Sequence, residues 1–288
     1  MPLSFSGWLL RKWSTPAAKK LRRNKLAWVG LAIVTIVVAC AIFADWIAPY
    51  DPVERVGERL LPPSRKFLLG TDDFGRDIFS RIIYGTRWGL LMGLSLVGFQ
   101  AAIGVPLGLI AGYYGGKIDS AIMRVADALI AFPDLVFAVA VAGLIKPGID
   151  TIIIALGIIG WPVYARVTRG QVLSVKASDY VEAARAFGEK DRSIIIKYVF
   201  PNSLAPIIVM VTIGLPAAIL VTAALSFLGL GFPLHVPEWG VMLSAARSYL
   251  SSNWWWATSV GVAIMITVLG FNFFGDGLRD ALDPRLKY

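Results

Sequence analysis

The chain has 288 residues, of which 57% are apolar and only 16% charged, and it carries a net charge of +9. Soluble domains hold about 25% charged residues, so a water-soluble globule is excluded and lipid must solvate much of this surface. The basic residues sit in short segments between long apolar runs, not as a stripe on one folded face, which argues against a nucleic-acid partner. One cysteine, Cys40, leaves no intrachain disulfide, and one histidine, His235, leaves no histidine-rich metal site; His235 reads as a loop residue.

Residues 1–25 form a basic tail with seven Lys or Arg and no acid. The apolar run Leu26–Ile47 follows, with Asp45 as its single charge. It exceeds the apolar core of a signal peptide and can cross a hydrocarbon layer of ~30 Å, so it is expected to be an uncleaved first span. Residues 48–87 are expected as an extracytoplasmic loop, and residues 88–288 as a five-helix core. Its spans are expected at Trp88–Gly112, Ile122–Ile145, Thr151–Val167, Ser203–Leu228 and Trp255–Phe274. Continuous apolar runs without two-residue alternation favour helices over a barrel. The expectation is an all-α polytopic membrane protein with six transmembrane helices. An internal amino terminus puts 19 Lys and Arg in the inner segments and 9 in the outer ones, so both ends are expected in the cytoplasm.

Pro106, Pro133, Pro162 and Pro216 fall inside these spans, where each removes a helical hydrogen bond and favours a kink. Gly104 and Gly108 suit a close helix–helix approach. Trp254, Trp255 and Trp256 read as an interfacial belt. In the third span Arg124 and Asp127 are three apart and placed to pair. Asp134 lies ~18 Å into the same run, near the bilayer middle, at a cost of roughly 2.5–3.5 kcal/mol unless protein or water solvates it. Asp127 and Asp134 are therefore candidates for a translocation path, with a structural role beside Pro133 as the other reading of Asp134.

The polar stretch within 176–201 is the most informative. Asp179 with Glu182 three residues on resembles a capping box, predicting a helix from Tyr180 that Gly188 ends in a left-handed conformation. Tyr180, Ala183, Ala184 and Phe187 are expected on one face, with Glu182 and Arg185 elsewhere. A helix this short must pack on something, either as a connector on the membrane or as a docking element. A second helix is expected to begin at Asp191 and to stop before Pro201.

In the outer loop, Gly70-x4-Gly75-Arg76-Asp77 imitates P-loop spacing, but Arg76 and Asp77 stand where Lys and Ser/Thr are needed, so it is no nucleotide site. Asp72, Arg76, Asp77 and Arg81 admit two readings: an outer gate or contact for a binding protein, or a cluster paired within itself.

Glu182-Ala183-Ala184, Gly188 and Val199-Phe200-Pro201 resemble the EAA loop of bacterial ATP-binding-cassette importer permeases, with Phe200 where that family usually has Leu. Leu69–Asp77 with Ser80-Arg81, and the carboxyl end Gly275–Arg285, resemble the dipeptide/oligopeptide branch, as does the exit Ala48–Pro52 of the first span. The resemblance implies a type I importer permease fold and a non-catalytic transport subunit of the inner membrane. Its cargo would be di- or oligopeptides, although similar permeases carry nickel chelates, glutathione or sugars. Implied partners are a second permease, two ATP-binding subunits that hold ATP and Mg²⁺, and an extracytoplasmic binding protein. Asp179, Tyr180, Glu182, Ala183, Ala184, Arg185, Phe187, Gly188 and Pro201 would form the ATPase-coupling segment. A secondary transporter would show inverted repeats with matching broken helices, and no such pairing is found. A membrane metalloprotease would need HExxH, which is missing.

Overall fold

The computed structural model describes residues 24–145 and 148–282. The basic tail, apart from Asn24 and Lys25, and the last part of the carboxyl-terminal motif (283–285) lie outside them. Among the described residues, five helices are long and apolar enough to cross a membrane, and a sixth crossing is available if one bent pair counts as a span.

Helix α1 (Lys25–Ile42) starts where the Asn24 side chain accepts the Ala27 amide at 3.1 Å, a side-chain cap that satisfies one free helix donor. A short turn, α2 (Ala44–Ile47), ends the first run. Helix α3 (Ile78–Tyr114) is 37 residues long and starts ten residues before the expected span. The Asp77 carboxylate caps it, accepting from the Ser80 amide at 2.8 Å, so the last part of the expected outer loop is helical.

The third apolar run is not one helix. Helix α4 (Gly116–Ile130) and helix α5 (Asp134–Leu144) meet at an 86° bend. Pro133 caps α5 with extended backbone, and the bend falls at this imino residue because it cannot continue the helix that precedes it. Helix α6 (Ile149–Lys176) has 28 residues, well beyond the expected 17-residue core of the fourth span. Next come helix α7 (Asp179–Ala186) and helix α8 (Asp191–Ile194). A π-helical segment (Ile195–Val199) then leads directly into helix α9 (Phe200–Phe227). The expected stop before Pro201 does not occur. Pro201 occupies the first turn of α9, where its missing N–H matters least. Helix α10 (Trp239–Ala246) and helix α11 (Trp254–Leu282) complete the order.

Helix α3 is the spine, packing most extensively on α6 and also on α9 and α1, while α11 packs on α1 and α9. Glycine permits the closest of these contacts. A Cβ on Gly104 would lie 2.4 Å from the Trp161 carbonyl, and one on Gly108 2.4 Å from that of Ala165, so α3 and α6 touch backbone to backbone. Farther along α3, Gly85 and Gly89 make room for the Trp239 indole, whose Nε1 donates to the Ile82 carbonyl at 3.2 Å. Of the tryptophan triplet, only Trp254 suits a lipid-facing belt. Trp256 is 1% exposed and stacks on Tyr249 inside the core.

Candidate functional site

Helix α7 carries most of the residues expected to couple to a partner. It begins at Asp179, one residue earlier than expected, with Ser178 as its cap residue. Asp179 and Glu182 thus lie in the first turn, where acids suit the positive end of the helix dipole. Its end is a Schellman motif. The Gly188 amide bonds the Arg185 carbonyl at 3.0 Å and the Glu189 amide bonds the Ala184 carbonyl at 3.1 Å. Gly188 has φ +77°, as expected of a left-handed terminator.

The expected face is split. Val181 and Ala184 are buried against Tyr113, Val172, Val175, Ile194 and Val199, a small core at this end of the bundle. Ala184 therefore belongs to the anchoring side. Tyr180, Glu182, Ala183 and Phe187 are exposed, Phe187 to 91%. The Arg185 guanidinium lies 5.8 Å from the centre of the Tyr113 ring. Past Gly188, the part-buried Glu189 carboxylate accepts from Ser193 and Lys197, which holds it below the usual carboxylate range.

A second feature is a cavity of about 1180 Å³ between α3, α5, α6, α9 and the end of α11. Its walls are largely apolar, among them Leu96, Val209 and Ile213, with a polar set of Gln100, Asp134, Tyr164, Gln171, Ser174 and Arg279. Asp134 is the first residue of α5, at the 86° bend, and not part of a continuous mid-membrane helix. It is exposed and lines the cavity. The partner of Asp127 is Arg166 on α6, not Arg124, and Asp127 is not among the residues that line this cavity. Asp119 pairs with Arg169 in the same way, so two ion pairs fasten α4 to α6. Arg279 was not recognised as a site residue, because it sits in a charged terminal segment where sequence alone does not show which way it points.

The outer-loop residues form a buried cluster. Asp72 is 0% exposed, and its Oδ2 accepts from Arg76 Nε at 2.6 Å and faces Arg81 Nε at 3.6 Å. Its Oδ1 accepts from the amides of Phe74 and Arg76, each at 2.9 Å. Asp77 caps α3, and Arg81 Nη1 donates to the Pro52 carbonyl at 2.7 Å. Through weaker contacts to the carbonyls of His235 and Val236, Arg81 also joins this loop to the segment before α10. Asp72, Arg76, Asp77 and Arg81 are thus buried, with Asp72 paired to Arg76 and Arg81 inside the chain. The exposed apolar groups nearby are Phe74 and Leu68. Glu238, in the segment before α10, is also buried. It caps α10 by accepting the Val241 amide at 2.9 Å, and burial pushes its carboxyl up to about 7.

Comparison with known proteins matches this arrangement. Residues 104–288 match the family described as binding-protein-dependent transport system inner membrane component. Residues 15–63 match the N-terminal TM domain of oligopeptide transport permease C. The chain is 46% identical over 272 residues to the dipeptide transport system permease protein DppC of Alkalihalophilus pseudofirmus, covering 94% of this chain and 90% of that one. It is 48% identical over 273 residues to DppC of Escherichia coli K12, covering 92% and 91%. With the di/tripeptide permease DppC of Pseudomonas aeruginosa it shares 45% over 271 residues, covering 92% and 89%. Its fold is shared with a chain of the MetNI methionine ABC transporter in an inward-facing conformation, at a TM-score of 0.58 and 21% identity, covering 70% of this chain and 96% of that one. The chain is a multi-pass membrane protein that belongs to the family of binding-protein-dependent transport system inner membrane components.

Proposed function

We propose that this chain is one transmembrane half of an ATP-driven dipeptide importer, and that α7 is where the ATPases push. The observation that carries the reading is the division of α7. One face is fixed in the chain's own core and the other presents a bare aromatic, Phe187, at 91% exposure. An eight-residue helix does not stand alone in water, so its firm anchorage on one side and its open apolar side together fit a partner's groove.

In this reading both chain ends and α7 lie in the cytoplasm, as the placement of positive residues favours. Two ATP-binding subunits, which hold ATP and Mg²⁺, meet α7 and its counterpart on a second permease. An extracytoplasmic binding protein delivers the peptide above the outer loop. ATP binding draws the ATPases together, shifts α7, and turns an inward-open path outward-open; hydrolysis resets it. The cavity between α3, α6 and α9 is this chain's share of that path, with Asp134 at its wall facing the peptide's ammonium group. No substrate bond is broken, so the chain supplies binding and motion and no catalytic group. The dipeptide cargo rests on the relatives' names, and the cavity's mixed polar and apolar lining suits so small a zwitterion.

The test is Phe187→Asp, assayed in the purified complex and in dipeptide uptake. Because Phe187 is exposed, the fold should be unchanged while ATPase co-purification and uptake are both lost. Uptake at the normal rate with the ATPases still bound would remove the docking role from α7.

A further inference from the structure

Helix α7 has to be tied to the spans if a push on it is to reach them, and the small core beneath it shows how. Tyr113, the second-last residue of α3, is 3% exposed and sits in that core. Its hydroxyl donates to Asp191 Oδ1 at 2.6 Å, at the first residue of α8. Its ring is flanked by two cations, Lys176 Nζ at 5.5 Å from the end of α6 and Arg185 Cζ at 5.8 Å from α7. Lys176 also donates to the Tyr113 backbone carbonyl. One side chain thus touches the ends of α3 and α6, the helix α7, and the start of the segment that becomes α9.

We infer that Tyr113 is a positioning residue that joins the α7–α8 segment to the end of α3, through its hydroxyl bond to Asp191 of α8 and its ring contact with Arg185 of α7. The inference rests on the reading of α7 as the ATPase-docking helix, and it goes beyond it by naming the joint. Apolar packing by Val181 and Ala184 alone resists separation but not sliding, because dispersion contacts have no preferred direction. A hydrogen bond to a carboxylate is directional and short, and fixes α8 against the end of α3. Directly after Asp191–Ile194, the chain widens into the π-helical segment Ile195–Val199. Such segments are locally less regular than α-helix and often mark functional positions. The bond therefore lies on the α7 side of the most deformable stretch leading into α9. A displacement of α7 is carried to α3 through Tyr113, while α9 takes it up at Ile195–Val199.

The bland alternative is a tyrosine that only fills the core. Tyr113→Phe separates the two, since it keeps the ring, its volume and both cation contacts while removing the hydroxyl. The whole complex is reconstituted in vesicles with binding protein and dipeptide, and peptide transported and ATP hydrolysed are measured together. Tyr113→Phe and Asp191→Ala should each lower the peptide carried per ATP by about three- to tenfold, the loss expected of one hydrogen bond to a charged group at a part-exposed site. Subunit ratios on purification should match the parent complex. The double variant should be no worse than either single one, because both remove the same bond.

An unchanged peptide-to-ATP ratio in Tyr113→Phe overturns the inference, and so does loss of ATPase co-purification in that variant, which would make the residue merely structural. The Phe187→Asp control keeps the two readings apart. If it is silent, the docking role of α7 falls; if it abolishes uptake while Tyr113→Phe is silent, only the joint falls.

Discussion

The outer-loop cluster allows a quantitative forecast. In Asp72→Ala, Arg76 and Arg81 lose the carboxylate they share at 2.6 and 3.6 Å, and the amides of Phe74 and Arg76 lose their acceptor. Breaking a buried ion pair by removing one partner costs about 3–5 kcal/mol, because a desolvated charge is left without compensation. The two orphaned amides place this variant at the upper end of that range. A span bundle of this size does not unfold for that amount, so the cost should appear as local opening of the loop over residues 48–77. The assay is amide hydrogen exchange in the intact complex, followed at Leu60, Thr71 and Ile78. Their amides bond the carbonyls of Asp72, Leu61 and Gly70 at 3.0, 3.0 and 3.1 Å. Their protection should fall by about 1000- to 4000-fold, since each 1.4 kcal/mol is a factor of ten. Asp72→Asn, which retains an acceptor for the two amides, should fall between the parent and Asp72→Ala. Parent-like protection in both variants would refute the claim that this cluster holds the loop closed.

Asp134→Asn removes the one acid among the described lining residues of the cavity without changing its size. Dipeptide uptake should drop several-fold with normal subunit assembly, and unchanged uptake, assembly and cargo preference would take Asp134 off the path. Glu238 makes stability depend on pH. Burial raises its folded-state pKa to about 7 from 4.5, so its contribution is greatest below pH 4.5 and is lost as pH rises through 7. The loss is of the order of 3 kcal/mol at 1.36 kcal/mol per unit. Melting of the purified complex should therefore be higher at pH 5 than at pH 8, and Glu238→Gln should flatten that difference; an identical pH profile in the variant would show that the carboxyl does not titrate in this range.

What the sequence made legible follows from local rules. Apolar length located the crossings, and glycine spacing at Gly104 and Gly108 located a close helix contact. The end of α7 was readable at Gly188 because a left-handed terminator depends on its own backbone and not on distant residues. Failures came where a neighbour far along the chain decides. Asp127 had Arg124 within reach on its own helix, yet Arg166 on α6 takes it. The apolar pattern runs on through Phe132 and Pro133, so hydropathy saw one span where the backbone turns by 86°. The burial of Asp72, Arg76 and Arg81 arises only when residues 48–77 fold back on the start of α3, and composition alone left both readings of them open. Tyr180 of α7 and Phe187 just past its end looked like the bounds of one face with Ala184. The tertiary anchor instead rotates Ala184 inward and leaves Phe187 bare.

Helix α3 brings these separate features into one mechanical argument. At 1.5 Å per residue its 37 residues span about 55 Å, well beyond a hydrocarbon layer of ~30 Å. Arg81 of the outer cluster lies near one end and Tyr113 of the α7 joint near the other. Between them Gly85 and Gly89 seat Trp239, and Gly104 and Gly108 seat the α6 backbone. A rod so interlocked moves with its neighbours and has one built-in weak point. Pro106 lacks the amide that would bond the residue four earlier, and it lies between Gly104 and Gly108, where α3 grips α6. On the proposed reading a force entering at Tyr113 would carry the α7 ends of α3 and α6 together, with Pro106 and Pro162, the proline inside α6, as the points where each helix lacks a bond. The level of those two prolines is also the level of Trp161 and Tyr164, and Tyr164 lines the cavity. On that reading the cavity would open at one end while the glycine contacts hold the other.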